Sequence, residues 1–120
     1  MAAPNIVNVS TITGITTGRA LTNTTTTQLL TNVASSGKVF KVNSIVVANV
    51  DGASAADVTL GYNDGSTTYK IAHTVTVPAD STLIALDKNA ALYLEEGTKL
   101  VGGASANSDL ECLITYEEIS

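Results

Sequence analysis

Apolar and polar residues alternate one for one along much of this chain, and short polar punctuation interrupts the alternation. Ala56, Val58, Leu60 and Tyr62 are interleaved with Asp57, Thr59, Gly61 and Asn63. Successive side chains of a strand point to opposite faces, so this pattern predicts a half-buried strand. Asn63-Asp64-Gly65-Ser66 follows as a hairpin turn, because Asp-Gly tolerates positive φ. The returning strand over Thr68–Val77 would carry Tyr69, Ile71, His73, Val75 and Val77 on one face, with Lys70, Ala72, Thr74 and Thr76 on the other. Leu110, Cys112, Ile114 and Tyr116 alternate with Glu111, Leu113, Thr115 and Glu117 in a last strand over Leu110–Ile119.

The strongest strand is expected over residues 38–50, after the turn signal Ser35-Ser36-Gly37. One face would read Phe40, Val42, Val46, Ala48, Val50, and the other Val39, Ile45, Val47. Its second half is apolar on both faces, which predicts a central, covered position. Shorter strands are expected over Thr82–Leu86, Leu92–Leu94 and residues 98–101. Asp87-Lys88-Asn89 and Glu95-Glu96-Gly97 mark turns, and Gly102-Gly103 with residues 104–108 reads as a loop. Residues 1–23 alternate poorly. They predict an extended arm or edge strand, an ordinary edge hairpin being the competing reading, ahead of a domain over residues 24–120. No window shows apolar residues at helical spacing with caps. Many short strands between Gly, Asp, Asn and Pro turns predict an all-β, antiparallel, jelly-roll-like β-sandwich with an extended N-terminal arm.

Composition narrows what such a sandwich does. The 120 residues fit one domain. Charged residues are only 14 %, and Thr, Ser and Asn take their place, so the surface resists close neighbours weakly. The net charge is −5, and the six Lys and Arg stand singly. Nucleic acid and anionic membranes both call for a basic patch, so neither is an expected partner. The first residues lack a basic region and a long apolar run, so no signal peptide is expected and synthesis is placed in a reducing cytoplasm.

Candidate chemistry is sparse. The single His73 sits mid-strand among apolar neighbours and reads as a core or interface histidine. The single Cys112, between Leu110 and Ile114, reads as a buried structural thiol. Asp51, Asp57 and Asp64 lack the spacing of a calcium loop, and Glu95-Glu96 and Glu117-Glu118 read as solvated pairs. Gly102-Gly103 lacks the Lys and helix of a phosphate loop. No catalytic residue, metal or cofactor is expected, and a small hydrolase is the last-ranked class. A carbohydrate-binding module ranks above it but lacks aromatic platforms, with no Trp, one Phe and four Tyr.

The start of the chain, Met1-Ala2-Ala3-Pro4-Asn5-Ile6-Val7-Asn8-Val9, resembles that of small virion structural proteins from tailed phages of marine cyanobacteria. The centre, Gly37-Lys38-Val39-Phe40-Lys41-Val42-Asn43-Ser44-Ile45, is similar to the same group. So are Leu92-Tyr93-Leu94-Glu95-Glu96-Gly97 and the closing stretch from Asp109-Leu110-Glu111 to Tyr116-Glu117-Glu118-Ile119-Ser120. The resemblance implies a capsid decoration (cement) protein on the virion surface, assembled in the host cytoplasm, or else a tail, neck or receptor-binding component. A decoration protein implies the major capsid protein as partner. A homotrimer is the expected self-assembly, since closed rings match the threefold points of a shell. Asn5, Ile6, Val7, Val9 and Ile12 are the expected contact residues of the arm.

Overall fold

The computed structural model describes residues 7–120. Nine strands follow in order: β1 (Ile12–Ala20), β2 (Thr27–Asn32), β3 (Val39–Asn49), β4 (Ala56–Asn63), β5 (Thr68–Val77), β6 (Thr82–Leu86), β7 (Leu92–Leu94), β8 (Thr98–Ala104) and β9 (Leu110–Ile119). One 3-10 turn, Lys88–Ala90, separates β6 from β7. One sheet has the order β1-β9-β3-β6, with β7 also paired to β3; the other has the order β2-β8-β4-β5. All pairings are antiparallel.

The pairing is nested. β4 pairs with β5, β3 with β6 and β7, β2 with β8, and β1 with β9. The chain is therefore one long hairpin with its tip at residues 64–67. Rolling that hairpin brings β3 against β9 and β4 against β8, which closes two packed sheets. This is a jelly roll with its sixth strand broken into β6 and β7. At the tip, the Asp64 carboxylate accepts the N–H of Ser66 at 3.0 Å and of Thr67 at 2.8 Å. The Thr67 bond is the main cause that holds this carboxyl below its ordinary value, followed by the Ser66 bond.

The core lies between the sheets. Phe40, Val42, Ile45, Val47, Leu110 and Ile114 meet Ala56, Val58, Leu60 and Leu100. The rings of Phe40 and Tyr116 stand 5.1 Å apart, tilted by 39°. The expected inward face of β9 is correct, and that of β3 is half correct. Val42 pairs with Tyr116 but Ser44 with Thr115, so Asn43 is an extra, bulged residue. Beyond it the inward positions change parity, from Phe40 and Val42 to Ile45 and Val47. Val46, Ala48 and Val50 therefore do not share a face with Phe40.

A similar correction applies to β5. Its register against β4 shifts twice, and Thr74 has φ +47°. Ala72 and Val77 are buried, whereas Tyr69, His73 and Val75 are exposed. Gly102-Gly103 is not a loop: β8 runs through both glycines to Ala104. A Cβ on Gly102 would meet the Thr59 carbonyl oxygen at 2.6 Å, and one on Gly103 the Thr24 carbonyl oxygen at 2.4 Å. The glycines let neighbouring backbone close over β8. β1 and β2 do not form a hairpin with each other; each is the edge of a different sheet.

Two fully enclosed asparagines tie loops to strands. Asn32 donates through Nδ2 to the carbonyls of Lys38 at 2.8 Å and Leu94 at 3.0 Å. Asn49 donates to the carbonyls of Ser54 at 3.0 Å and Val77 at 2.9 Å, and accepts the N–H of Asp51 at 2.8 Å. A buried carbonyl must find a donor, and one amide here serves two.

Candidate functional site

The residues with chemical potential are scattered. His73 is exposed on β5 of one sheet, and Cys112 is buried on β9 of the other. Of the two readings of His73, core or interface, the core one fails because the β5 bulges turn its side chain outward. Burial pushes the Cys112 thiol up to about 11, against a smaller opposing pull from Arg19. The acidic pairs are separated by the fold. Glu117 Oε2 accepts from Asn43 Nδ2 at 2.8 Å, and Glu118 forms an ion pair with Lys38 Nζ. Glu96 Oε2 accepts the N–H of Gly37 at 2.8 Å, which holds the β2–β3 turn against the β7–β8 turn. Among the described residues, no three His, Cys, Asp or Glu side chains come together as metal ligands. No described helix is long and apolar enough to cross a membrane.

Surface is what the sandwich offers instead. The register places Gly18, Leu113, Val46 and Ile84 side by side across β1, β9, β3 and β6. Leu113 is 51 % exposed and Ile84 63 % exposed. Both neighbouring cross-strand rows are mostly small: Thr16, Thr115 and Ser44 on one side, Ala20, Glu111, Ala48 and Thr82 on the other. Between the Leu113 row and the Ala20 row runs a half-open groove of about 390 Å³ lined by Gly18, Ala20, Val46, Ala48, Glu111 and Leu113. Leu113 leans over β1, where a Cβ on Gly18 would meet its Cδ2 at 3.0 Å.

No family model matches the chain. Among curated proteins there is no match either. The solved structures to which the chain is similar include the following three. Two are crystal structures of a pentameric capsid protein isolated from metagenomic phage sequences. One is 20 % identical over 87 % of this chain, with a TM-score of 0.41. The other is 19 % identical over 98 % of this chain, also at 0.41. This chain spans 64 % of the length of each. The third, a crystal structure of the T13 IBDV viral particle, is 8 % identical over 87 % of this chain and 31 % of that one, at 0.40.

Of the expected contact residues, Val7, Val9 and Ile12 are described. Asn5 and Ile6 lie outside the described residues. Val7 is 91 % exposed, Val9 is half-buried, and Ile12 is 55 % exposed at the start of β1. Ser10 and Thr11 bond to the carbonyl of Ser120, so this segment leaves the sandwich beside the C-terminus. Sequence reasoning missed the outer face formed by Leu113, Val46 and Ile84. Their apolar character was legible, but the parity change at Asn43, which turns Val46 outward, was not.

Proposed function

We propose that this chain is a virion structural protein, an accessory shell component of the decoration or cement kind, that acts through contact area. The observation that carries this reading is the apolar band Gly18–Leu113–Val46–Ile84 at the centre of the outer face, with Leu113 and Ile84 more than half exposed. Monomeric proteins rarely leave large apolar patches uncovered, and such patches mark association surfaces. The resemblance to phage virion structural proteins supports the same reading. The partners are other copies of this chain and the major capsid protein. Clamping adjacent shell subunits stabilises the assembled state by mass action. The segment with Asn5, Ile6, Val7, Val9 and Ile12 is the proposed reach toward a neighbour.

Gold-labelled antibody against the chain, applied to purified particles that carry it, tests this. Label over the heads is expected. Label confined to tails would assign the chain to the tail or neck, and unlabelled particles would contradict a virion role.

A further inference from the structure

The four sheet edges of the sandwich are not alike. β2 carries a register shift between Gln28 and Leu30, and Arg19 Nη1 donates to its Gln28 carbonyl at 2.9 Å. β5 carries two register shifts and a positive φ at Thr74. β6 and β7 are short and broken by the 3-10 turn. Bulges, breaks and charges of this sort stop foreign strands from pairing. β1 has none of them over most of its length. Its nine residues pair with β9 without a shift, and Arg19 is its single charge.

The groups that β1 leaves free can be named. Thr11 and Ser120 exchange both backbone hydrogen bonds, at 3.0 and 2.9 Å, and the Leu21 N–H donates to the Leu110 carbonyl at 2.8 Å. In an antiparallel ladder, bonded residues recur every second position. With the unbroken register, the odd-numbered residues of β1 therefore bond to β9. The N–H and C=O groups of Ile12, Gly14, Thr16, Gly18 and Ala20 point away from the sheet, and nothing among the described residues engages them. Water can reach such a row, and an extended strand can pair with all of it at once.

We infer that β1 pairs antiparallel with β1 of a second copy about a two-fold axis at Thr16, joining the two β1-containing sheets into one. Thr16 is the midpoint of Ile12–Ala20. Centring the axis there sets Thr16 against Thr16, Gly14 against Gly18 and Ile12 against Ala20. All of these are residues whose backbone groups point outward, so every free donor meets a free acceptor. The same face of each sheet stays outermost. The register also aligns charge. Arg19 falls opposite Thr13 of the partner subunit, and Thr13 is itself paired with Glu118. Two strand spacings, about 10 Å in all, then separate Arg19 from Glu118 of the partner subunit, within reach of these two side chains. The two copies of Arg19 lie on opposite sides of the axis, so like charges do not meet. A two-fold contact uses one surface on both copies, which an edge complementary to itself satisfies. This deepens the proposed function by naming how copies meet, and it rests on that reading only for its biological use.

The experiment is sedimentation of the full chain with hydrogen exchange read at single residues. The native chain should dimerise, and the amides of Gly14, Thr16 and Gly18 should become protected as dimer forms. Thr16→Pro removes an N–H that the chain's own sheet does not use, so the melting transition should persist. Pairing should weaken by roughly 100-fold. Thr16→Lys and Thr16→Glu, which keep the N–H, should each give monomer, because like charges then face each other across the axis. Mixing these two variants should restore a dimer. A native chain that stays monomeric at high concentration would overturn the inference. So would an oligomer of any size that survives Thr16→Lys unchanged, and that result would leave a virion role standing.

Discussion

Asn32 and Asn49 show how single residues shape a sandwich that has few charges to spare. Each buries an amide that satisfies two backbone carbonyls from separate elements. Leucine at either site would keep the branched shape but strand both carbonyls in the interior. We expect Asn32→Leu and Asn49→Leu each to lose about 2–4 kcal/mol, read as a lower urea midpoint with an unchanged slope. Cys112 sets a pH limit. Its folded thiol is raised from an ordinary 9.0 to about 11, so between those values the folded state holds a proton that the unfolded state releases. Stability must then fall as pH rises from about 9 and level off above about 11, by an amount of order 2 kcal/mol. Tyr116, raised mainly by burial, adds to the fall at higher pH. Cys112→Val should flatten the first part of that curve, measured by denaturant titration at stepped pH.

At the scale of elements, the strands whose alternation runs unbroken were legible. β4 and β9 read correctly because no extra residue disturbs their inward faces, and the β4–β5 turn follows from Asp64-Gly65. The failures on β3 and β5 share one cause. A bulge changes which side chains face in, and the bulges at Asn43 and along β5 leave no mark in polarity alone. Gly102-Gly103 misled in the opposite direction: glycine usually ends a strand, yet here it admits the crossing backbone of Thr22, Thr24 and Thr59. Gly103→Ala should cost about 3 kcal/mol, at the top of the range for overpacking, since its contacts are backbone atoms with little freedom to move. Thermal melts of the two glycine variants check this, and Gly14→Ala, with nothing within 4 Å, serves as the neutral comparison. The surface reading depended on the same bulge, because Val46 joins Leu113 and Ile84 only after the parity change.

At the scale of the whole molecule, nested pairing has a kinetic consequence. β1 meets β9 across nearly the full chain, with Ile12 against Ile119, so much of the native structure waits on long loop closures. Refolding in the slow, millisecond-to-second range is expected, and stopped-flow fluorescence of the tyrosines would register it. In the proposed role, the chain holds neighbours together through its faces and edges. The outer face of the β1-containing sheet is apolar at its centre, around Leu113, Val46 and Ile84, and among the described edges β1 alone has neither bulge nor break. The most direct test is genome retention on heating, compared between particles that carry the chain, particles stripped of it, and stripped particles after purified chain is added back. The account predicts that stripping lowers the temperature of genome release and that adding the chain back restores it. Unchanged release temperatures, with the chain demonstrably bound, would contradict it.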